Sequence, residues 1–335
     1  MPPIAICIPA RDEAEELPYL FAALERLERG PDDIVHVCLQ LDGCSDASAA
    51  LADAYRSQSA LRVTVAAAAP SLANAGRARH RAMTLGQTAL GDNAGLLLTT
   101  DADSVPSPSW LCAMTAALSN ADVVAGRIVR RGTRPSALQD RIEAYYDRLF
   151  ELRRGLDPVP WEARATHHHA GGANMGFRVD AYHALGGFAP LASGEDSRLF
   201  DDAGRAGWRV RRDAASVVHT SDRRDGRASG GLALALRDGD EAGPDGIRVA
   251  HPDAAAWQYR MHATTRAAFE AGRLDRAADA LGLTLDHVRG VARDCPNGEA
   301  FAMRIVPEPP AGMRVVPLPV AEACLTHFVQ RRRAA

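Results

Sequence analysis

The residues best equipped for chemistry in this sequence are carboxylates placed beside strand-like runs. Asp101-Ala102-Asp103 directly follows Leu96-Leu97-Leu98-Thr99-Thr100. If the extended backbone continues through the motif, residues i and i+2 point the same way, and both carboxylates face one point at the carboxyl edge of a sheet. Oxygen ligands there suit Mg2+ or Mn2+, which commonly share them with phosphate. Two unpaired carboxylates buried together are costly, so a cation is the physical expectation. The plain alternative is a solvated turn helped by Ser104 and Pro106. A second acidic pair, Glu195-Asp196, opens a helix-like segment. A hydroxyl is a weak nucleophile at neutral pH, and a positioned carboxylate there can take its proton. Acids in a first helical turn also arise for the helix dipole alone. His219 ends the apolar run Ala214–Val218 and is either a metal-binding imidazole or a surface side chain.

These groups need elements to position them. Apolar, β-branched runs occur at Ile4–Ile8, Ile34–Leu41, Leu61–Ala66, Gly95–Thr100 and Val123–Ile128. Segments of helical spacing separate them, as in Glu16–Leu27 with Leu17, Leu20, Phe21, Leu24 and Leu27. The alternation predicts an α/β fold, a Rossmann-like and mostly parallel sheet sandwiched by helices. Such sheets bind ligands at their carboxyl edge. Asp42 ends the second strand, and Ser45 or Asp46 can cap the helix that follows. Asn74-Ala75-Gly76-Arg77-Ala78-Arg79 follows the third and brings guanidinium groups, which pair well with phosphate, to the same rim.

Further along, a helix is expected over Ser136–Arg154, another over Glu195–Ala206, and strand-like segments over Arg209–Thr220. Ser221–Gly246, rich in Gly, Arg and Asp, reads as a mobile loop region. Helical stretches near Asp253–Ala271 and Leu274–Ala292 follow, with Gly272 as a stop between them. A Pro-rich segment at Pro307–Pro319 comes next. Arg223, Arg224 and Arg227 either close over a diphosphate or belong to a solvated loop. His167-His168-His169 precedes Gly171-Gly172-Ala173-Asn174. Neighbouring residues cannot all face one ion from regular structure, so the run reads as a loop at a ligand site. Trp161 can stack on a sugar ring, whereas Trp208 reads as core.

Composition bounds the rest. The chain has 335 residues, 47% hydrophobic and 24% charged, with a net charge of −3. That is a soluble globular composition without the basic field that attracts nucleic acid. Every cationic side chain is Arg, so Schiff-base and P-loop mechanisms, which need a Lys amine, are excluded. The six cysteines form no CxxC pair, and a reducing cytoplasm is expected. No stretch approaches the ~20 apolar residues of a membrane span. A soluble protein, at most peripheral to a membrane, is the expectation.

Over residues 4–220 the sequence resembles glycosyltransferase family two with the GT-A fold. The resemblance rests on the Pro9–Glu13 opening, the Asp42–Ser48 turn, Gly76-Arg77-Ala78-Arg79, Asp101–Asp103 with Trp110 downstream, Gly186-Gly187-Phe188, and Gly194-Glu195-Asp196 with Gly207. It implies transfer of a sugar from a nucleotide-diphosphate sugar to a hydroxyl of a small molecule, lipid or glycan, with Mn2+ or Mg2+. By the same resemblance, Pro9, Arg11 and Glu13 approach the base and ribose, Asp42 contacts the base, and Arg79 lies on the nucleotide side. Asp101, Ala102 and Asp103 would hold the donor and metal, with Asp103 as direct ligand and His219 completing the site. Asp196, beside Glu195, would be the base of an inverting reaction. Gly172, Ala173 and Asn174 would contact the acceptor or donor sugar. Leu41 departs from the family, which often has an acid there.

The alternatives are a sugar-phosphate nucleotidyltransferase, which would open with a Gly-rich loop absent here, and an inactive nucleotide-sugar-binding module. The expected organisation is a catalytic domain over 1–246, donor-binding over 1–130 and acceptor-binding over 131–246. A C-terminal helical extension follows over 247–335. A homodimer is a possible assembly.

Overall fold

The computed structural model describes residues 2–69, 72–91, 95–132, 135–226 and 230–334. β1 (Ile4–Ala10), α1 (Leu17–Glu25), β2 (Val35–Asp42), α2 (Ser48–Gln58), β3 (Arg62–Ala68), α3 (Ala75–Leu90) and β4 (Leu96–Thr99) alternate as expected. There follow β5 (Ser104–Pro106), α4 (Trp110–Leu118), β6 (Val123–Arg131), α5 (Ala137–Leu156), β7 (Met175–Arg178), α6 (Val179–Ala184), α7 (Glu195–Arg205) and β8 (Val210–Ser221). The remainder comprises α8 (Leu232–Gly246), β9 (Arg248–Ala250), α9 (Pro252–Glu270), α10 (Leu274–Leu281), α11 (Leu285–Arg293), α12 (Gly298–Ile305), β10 (Val315–Pro317) and α13 (Leu318–Ala334). Among the described residues no helix is long and apolar enough to cross a membrane.

The main sheet has eight strands in the order β3-β2-β1-β4-β7-β6-β8-β5. β1 runs parallel to β2 and β4, β2 to β3, and β6 to β8. β7 lies antiparallel between β4 and β6, and β5 is antiparallel on the outer edge of β8. Helices cover both faces, so the central strands are apolar on both sides. Ile4, Ile6 and Ile8 of β1 pack with Leu17, Leu20 and Trp110 on one face. Ala5 and Cys7 pack with Ala82, Met83 and Phe200 on the other. Chain order reverses between β1 and β4, and the crevice for a ligand is expected at the carboxyl ends of such a switch point.

One irregularity shapes the sheet beside that crevice. β6 and β8 slip register between Gly126 and Arg127. The Asn174 amide fills the slip, donating to Arg127 O at 2.8 Å and to Ser216 O at 3.0 Å. Trp110 Nε1 in turn donates to Asn174 Oδ1 at 2.8 Å. A Cβ at Gly126 would collide with this amide.

Several expectations change. Ser221–Gly246 is not loop throughout, because the apolar start Leu232-Ala233-Leu234-Ala235-Leu236 opens α8 and buries Ala233 and Leu236. The stretch expected as one helix over Leu274–Ala292 breaks at Gly282, whose φ of 65° is left-handed, and Thr284 caps α11 through the His287 N–H. β7, α12, α13 and the short β9–β10 pair are additional to the predicted elements. Gly272 does follow the end of α9, at φ 66°. The residues beyond 247 are packed in: Tyr145, Leu149 and Leu152 of α5 share a cluster with Val249, Ala256, Leu318 and Leu325.

Candidate active site

The crevice is built by loops that bind one another. Asp12, in the loop after β1, holds φ at 51°, rare for a non-glycine residue. Its carboxylate accepts from Ser45 N at 2.7 Å, Ser45 Oγ at 3.1 Å and Asp46 N at 3.3 Å. Those bonds, chiefly the one from the Ser45 amide, hold its carboxyl below the ordinary range. Asp46 answers by accepting from Ala14 N at 2.9 Å, and Ser48 Oγ accepts from Glu13 N at 2.9 Å. The β1 and β2 loops are thus stitched into one rim. Asp46 is engaged in this stitching and also accepts from Ser48 N at 2.9 Å.

The rim encloses a cavity of about 230 Å³. Nine of the expected residues line it: Pro9, Arg11, Glu13, Asp42, Arg79, Asp101, Ala102, Asp103 and Arg223. Asp42 is buried and meets Arg81 Nη1 at 3.2 Å and Arg11 Nη1 at 3.6 Å. Asp101–Asp103 is not an extension of β4. Ser104 N donates back to Asp101 O at 3.1 Å, so a turn presents the two carboxylates to the cavity.

Asp103 is the most strained charge of the group. Burial, with the Asp101 carboxylate next in weight, pushes its carboxyl up to about 7. Arg223 works against that shift from 3.1 Å while holding both oxygens of Glu13 at 2.5 and 2.6 Å. Thr220 Oγ1 lies 3.4 Å from Asp103 Oδ1. Along β8 the side chains alternate, so Thr220 faces Asp103 and His219 does not. His219 is not among the residues lining the cavity.

Arg79 joins this cavity to the acid pair of α7. It is buried, and donates from Nη1 to Asp101 Oδ1 at 2.8 Å, Gly172 O at 2.9 Å and Thr99 Oγ1 at 3.3 Å. Its Nε donates to Glu195 Oε1 at 3.2 Å. Burial holds the Glu195 carboxyl above its ordinary range, and Arg79 counters this. Asp196, the next residue, accepts from Gly172 N at 2.8 Å and Ser197 N at 2.7 Å. Gly172 therefore presents its carbonyl to Arg79 and its N–H to Asp196. A Cβ there would collide with the Arg79 guanidinium, which explains the glycine.

Other expected residues lie elsewhere. Asn174 is wholly buried and spends its amide on the sheet, so it is unavailable to a sugar. Ala173 is buried within the same short turn, Gly172–Asn174. Trp161 donates from Nε1 to Val210 O at 2.9 Å and buttresses the start of β8 instead of lining the cavity. Trp208 packs on the core, as expected. Arg224 pairs with Asp240 of α8 at 3.0 Å and also lies outside the cavity wall. Arg227 falls outside the described residues. Arg81, Asp12 and Thr220 were not anticipated. Their partners lie on other strands or loops; polarity near a strand end was a weak cue for Asp12 and Thr220, and nothing local marked Arg81, which sits within α3.

The family model for glycosyl transferase family 2 matches residues 5–186, more than half of the chain. The chain belongs to glycosyl transferase family 2. The fold of this glycosyltransferase is the GT-A type. It is similar to S. aureus TarS in complex with UDP-GlcNAc, at 13% identity and a TM-score of 0.50, covering 91% of this chain and 90% of that one. It is also similar to the mannosyltransferase PcManGT from Pyrobaculum calidifontis in complex with GDP-Man and Mn2+. There the identity is 16% and the TM-score 0.50, covering 90% of this chain and 85% of that one. At such identities the likeness is one of fold. No curated sequence matches the glycosyltransferase significantly.

Proposed function

We propose that this glycosyltransferase moves a hexose-type sugar from a nucleotide-diphosphate sugar to an acceptor hydroxyl, with inversion and a divalent cation. The observation that carries the proposal is Arg79, which binds Asp101 in the cavity and Glu195 beside Asp196. One buried guanidinium thus holds the donor-side and acceptor-side carboxylates in a single frame.

On the donor side, Pro9, Arg11, Glu13 and Asp42 receive the nucleoside, and Ala102 passes close to it. The solved relatives hold UDP-GlcNAc or GDP-Man with Mn2+, consistent with such a donor. The carboxylates fit a cation: Asp103 is half-buried beside Asp101 and its carboxyl is pushed up to about 7, a like-charge strain that a divalent ion relieves. Asp103 and Asp101 would hold Mn2+ or Mg2+, which neutralises the departing diphosphate. Arg223, already on Asp103, is placed to transfer its guanidinium to a phosphate.

On the acceptor side, Asp196 is the base. Two main-chain N–H groups orient its oxygens, and each oxygen keeps a further lone pair for a hydroxyl proton. We assign donor binding to residues 1–130, acceptor binding to 131–246 and support of α5 to 247–335.

The test is calorimetry with UDP-, GDP- and dTDP-sugars, with and without Mn2+. Binding of one donor that appears only with the cation is expected. Absence of metal-dependent binding to all three overturns the proposal.

A further inference from the structure

The three consecutive histidines are not used by the site above. His167 is engaged within the fold: its ring is buried, Nδ1 accepts from His169 N at 3.0 Å, and Nε2 meets Ala125 O of β6 at 3.1 Å. With Nδ1 an acceptor, Nε2 carries the proton and donates. His167 therefore anchors the loop and presents the next two residues together.

His168 and His169 then face Asp147 of α5. Ligand-capable atoms of the three residues lie within 4.8 Å of one another. His168 Nδ1 is 2.8 Å from Asp147 Oδ1, which also accepts from His168 N at 2.9 Å. The His168 and His169 rings sit 4.0 Å apart, tilted by 33°. His169 Nδ1 is buried without a hydrogen-bond partner, a cost that a neutral imidazole in a closed protein would not normally bear. Asp147 Oδ2 is held by Arg127 Nη2 at 3.1 Å, the kind of outer contact that orients a ligating carboxylate.

We propose that Asp147, His168 and His169 form a second cation site, selective for a borderline transition metal such as Zn2+. Two imidazoles and one carboxylate suit that class, whereas the all-oxygen Asp101–Asp103 pair suits Mg2+ or Mn2+. Metal–nitrogen bonds of about 2.0–2.1 Å let atoms as close as His168 Nδ1 and Asp147 Oδ1 share one ion. The His169 ring then closes by an ångström-scale adjustment. On binding, the neutral His168 ring gives up its Nδ1 proton to solvent and takes one at Nε2, with no net loss, and the ion takes the place between Nδ1 and Asp147 Oδ1. His169 offers its unpartnered Nδ1 directly as a ligand atom. Three protein ligands leave a coordination position for water or an anionic group. Arg127 opposes the added charge and limits the affinity. The consequence is mechanical: the ion clamps the loop that leads into Gly172, between Arg79 and Asp196.

The test uses the full chain, stripped with chelator, carrying Asp103→Asn so that the donor-side cation site is disabled. Zn2+ titration by calorimetry should show one saturable site, and Co2+ should give the visible absorption of a nitrogen-containing ligand field. His169→Gln and Asp147→Asn, each added separately and each checked for cooperative melting, should weaken Zn2+ by about tenfold or more. Lack of saturable Zn2+ binding in the Asp103→Asn protein overturns the proposal. So does affinity unchanged in whichever ligand variants fold. Because the donor site is disabled throughout, neither outcome depends on the proposed transfer reaction.

Discussion

Arg79 Nη1 lies 2.8 Å from Asp101 Oδ1, inside a guanidinium that is itself buried. Burial works against its charge, and Asp101, Glu195 and Asp196 together more than offset this, leaving its pKa above the ordinary value. Arg79→Ala strands Glu195, which is 3% exposed, as an unpaired buried carboxylate. A loss of about 3–5 kcal/mol in unfolding free energy is expected. Arg79→Lys should recover only part, since an ammonium cannot reproduce the fork to Asp101, Gly172 and Glu195. Urea denaturation of the two variants checks both statements, and equal stability of wild type and Arg79→Ala refutes them.

Asp196→Asn keeps the size of the side chain but cannot take a proton. Donor binding should be unchanged within twofold or so, and kcat should fall by about 10²–10⁴. Calorimetry with the bound donor and a transfer assay separate the two effects. Normal turnover would remove Asp196 as the base.

Gly172→Ala pushes a methyl group into a guanidinium held by four partners. Arg79 cannot retreat without breaking one of them. A destabilisation of about 1–3 kcal/mol is expected. Transfer should drop more than stability implies, because Gly172 N also orients Asp196. Thermal melting and kcat, compared with the same change at Gly290, where an added Cβ meets open space, give the answer.

Acid should destabilise the metal-free protein early. Burial, the largest influence on each, lowers His167 to about 3, His169 to about 2 and His262 to about 4, from 6.5. The unfolded chain binds these protons first, so the stability from neutral histidines is complete above pH 6.5 and declines as pH falls towards the folded values. Each histidine contributes at most about 1.4 kcal/mol per pH unit. Unfolding free energies at pH 7 and pH 5 measure the loss. His262→Gln should reduce it by about 1–2 kcal/mol.

Much of the first 130 residues was legible in order. β1 and β4 are almost wholly apolar, and β2 is interrupted only by His36, Gln40 and its terminal Asp42; burial on both faces favours that pattern. The residues at or just past their ends, Arg11, Asp42 and Asp101, are local signals that folding leaves at the rim. The reversed strand β7 was not legible, because four residues carry too little period to reveal direction. Nor was α8, whose polar second half concealed an apolar start.

By itself, the sequence determined the strand–helix alternation, the rim at which carboxylates gather, and the family to which the chain belongs. Those depend on residue type and short-range spacing. The tertiary structure alone decided which groups meet. It turned His219 from Asp103 and put Thr220 there, because a strand alternates its faces. It enclosed Asn174 in the slip between β6 and β8. It brought Arg79 to Asp101 and, across 116 residues of chain, to Glu195. Such contacts are fixed by the registry of packed elements distant in sequence, and a linear pattern holds no record of that registry.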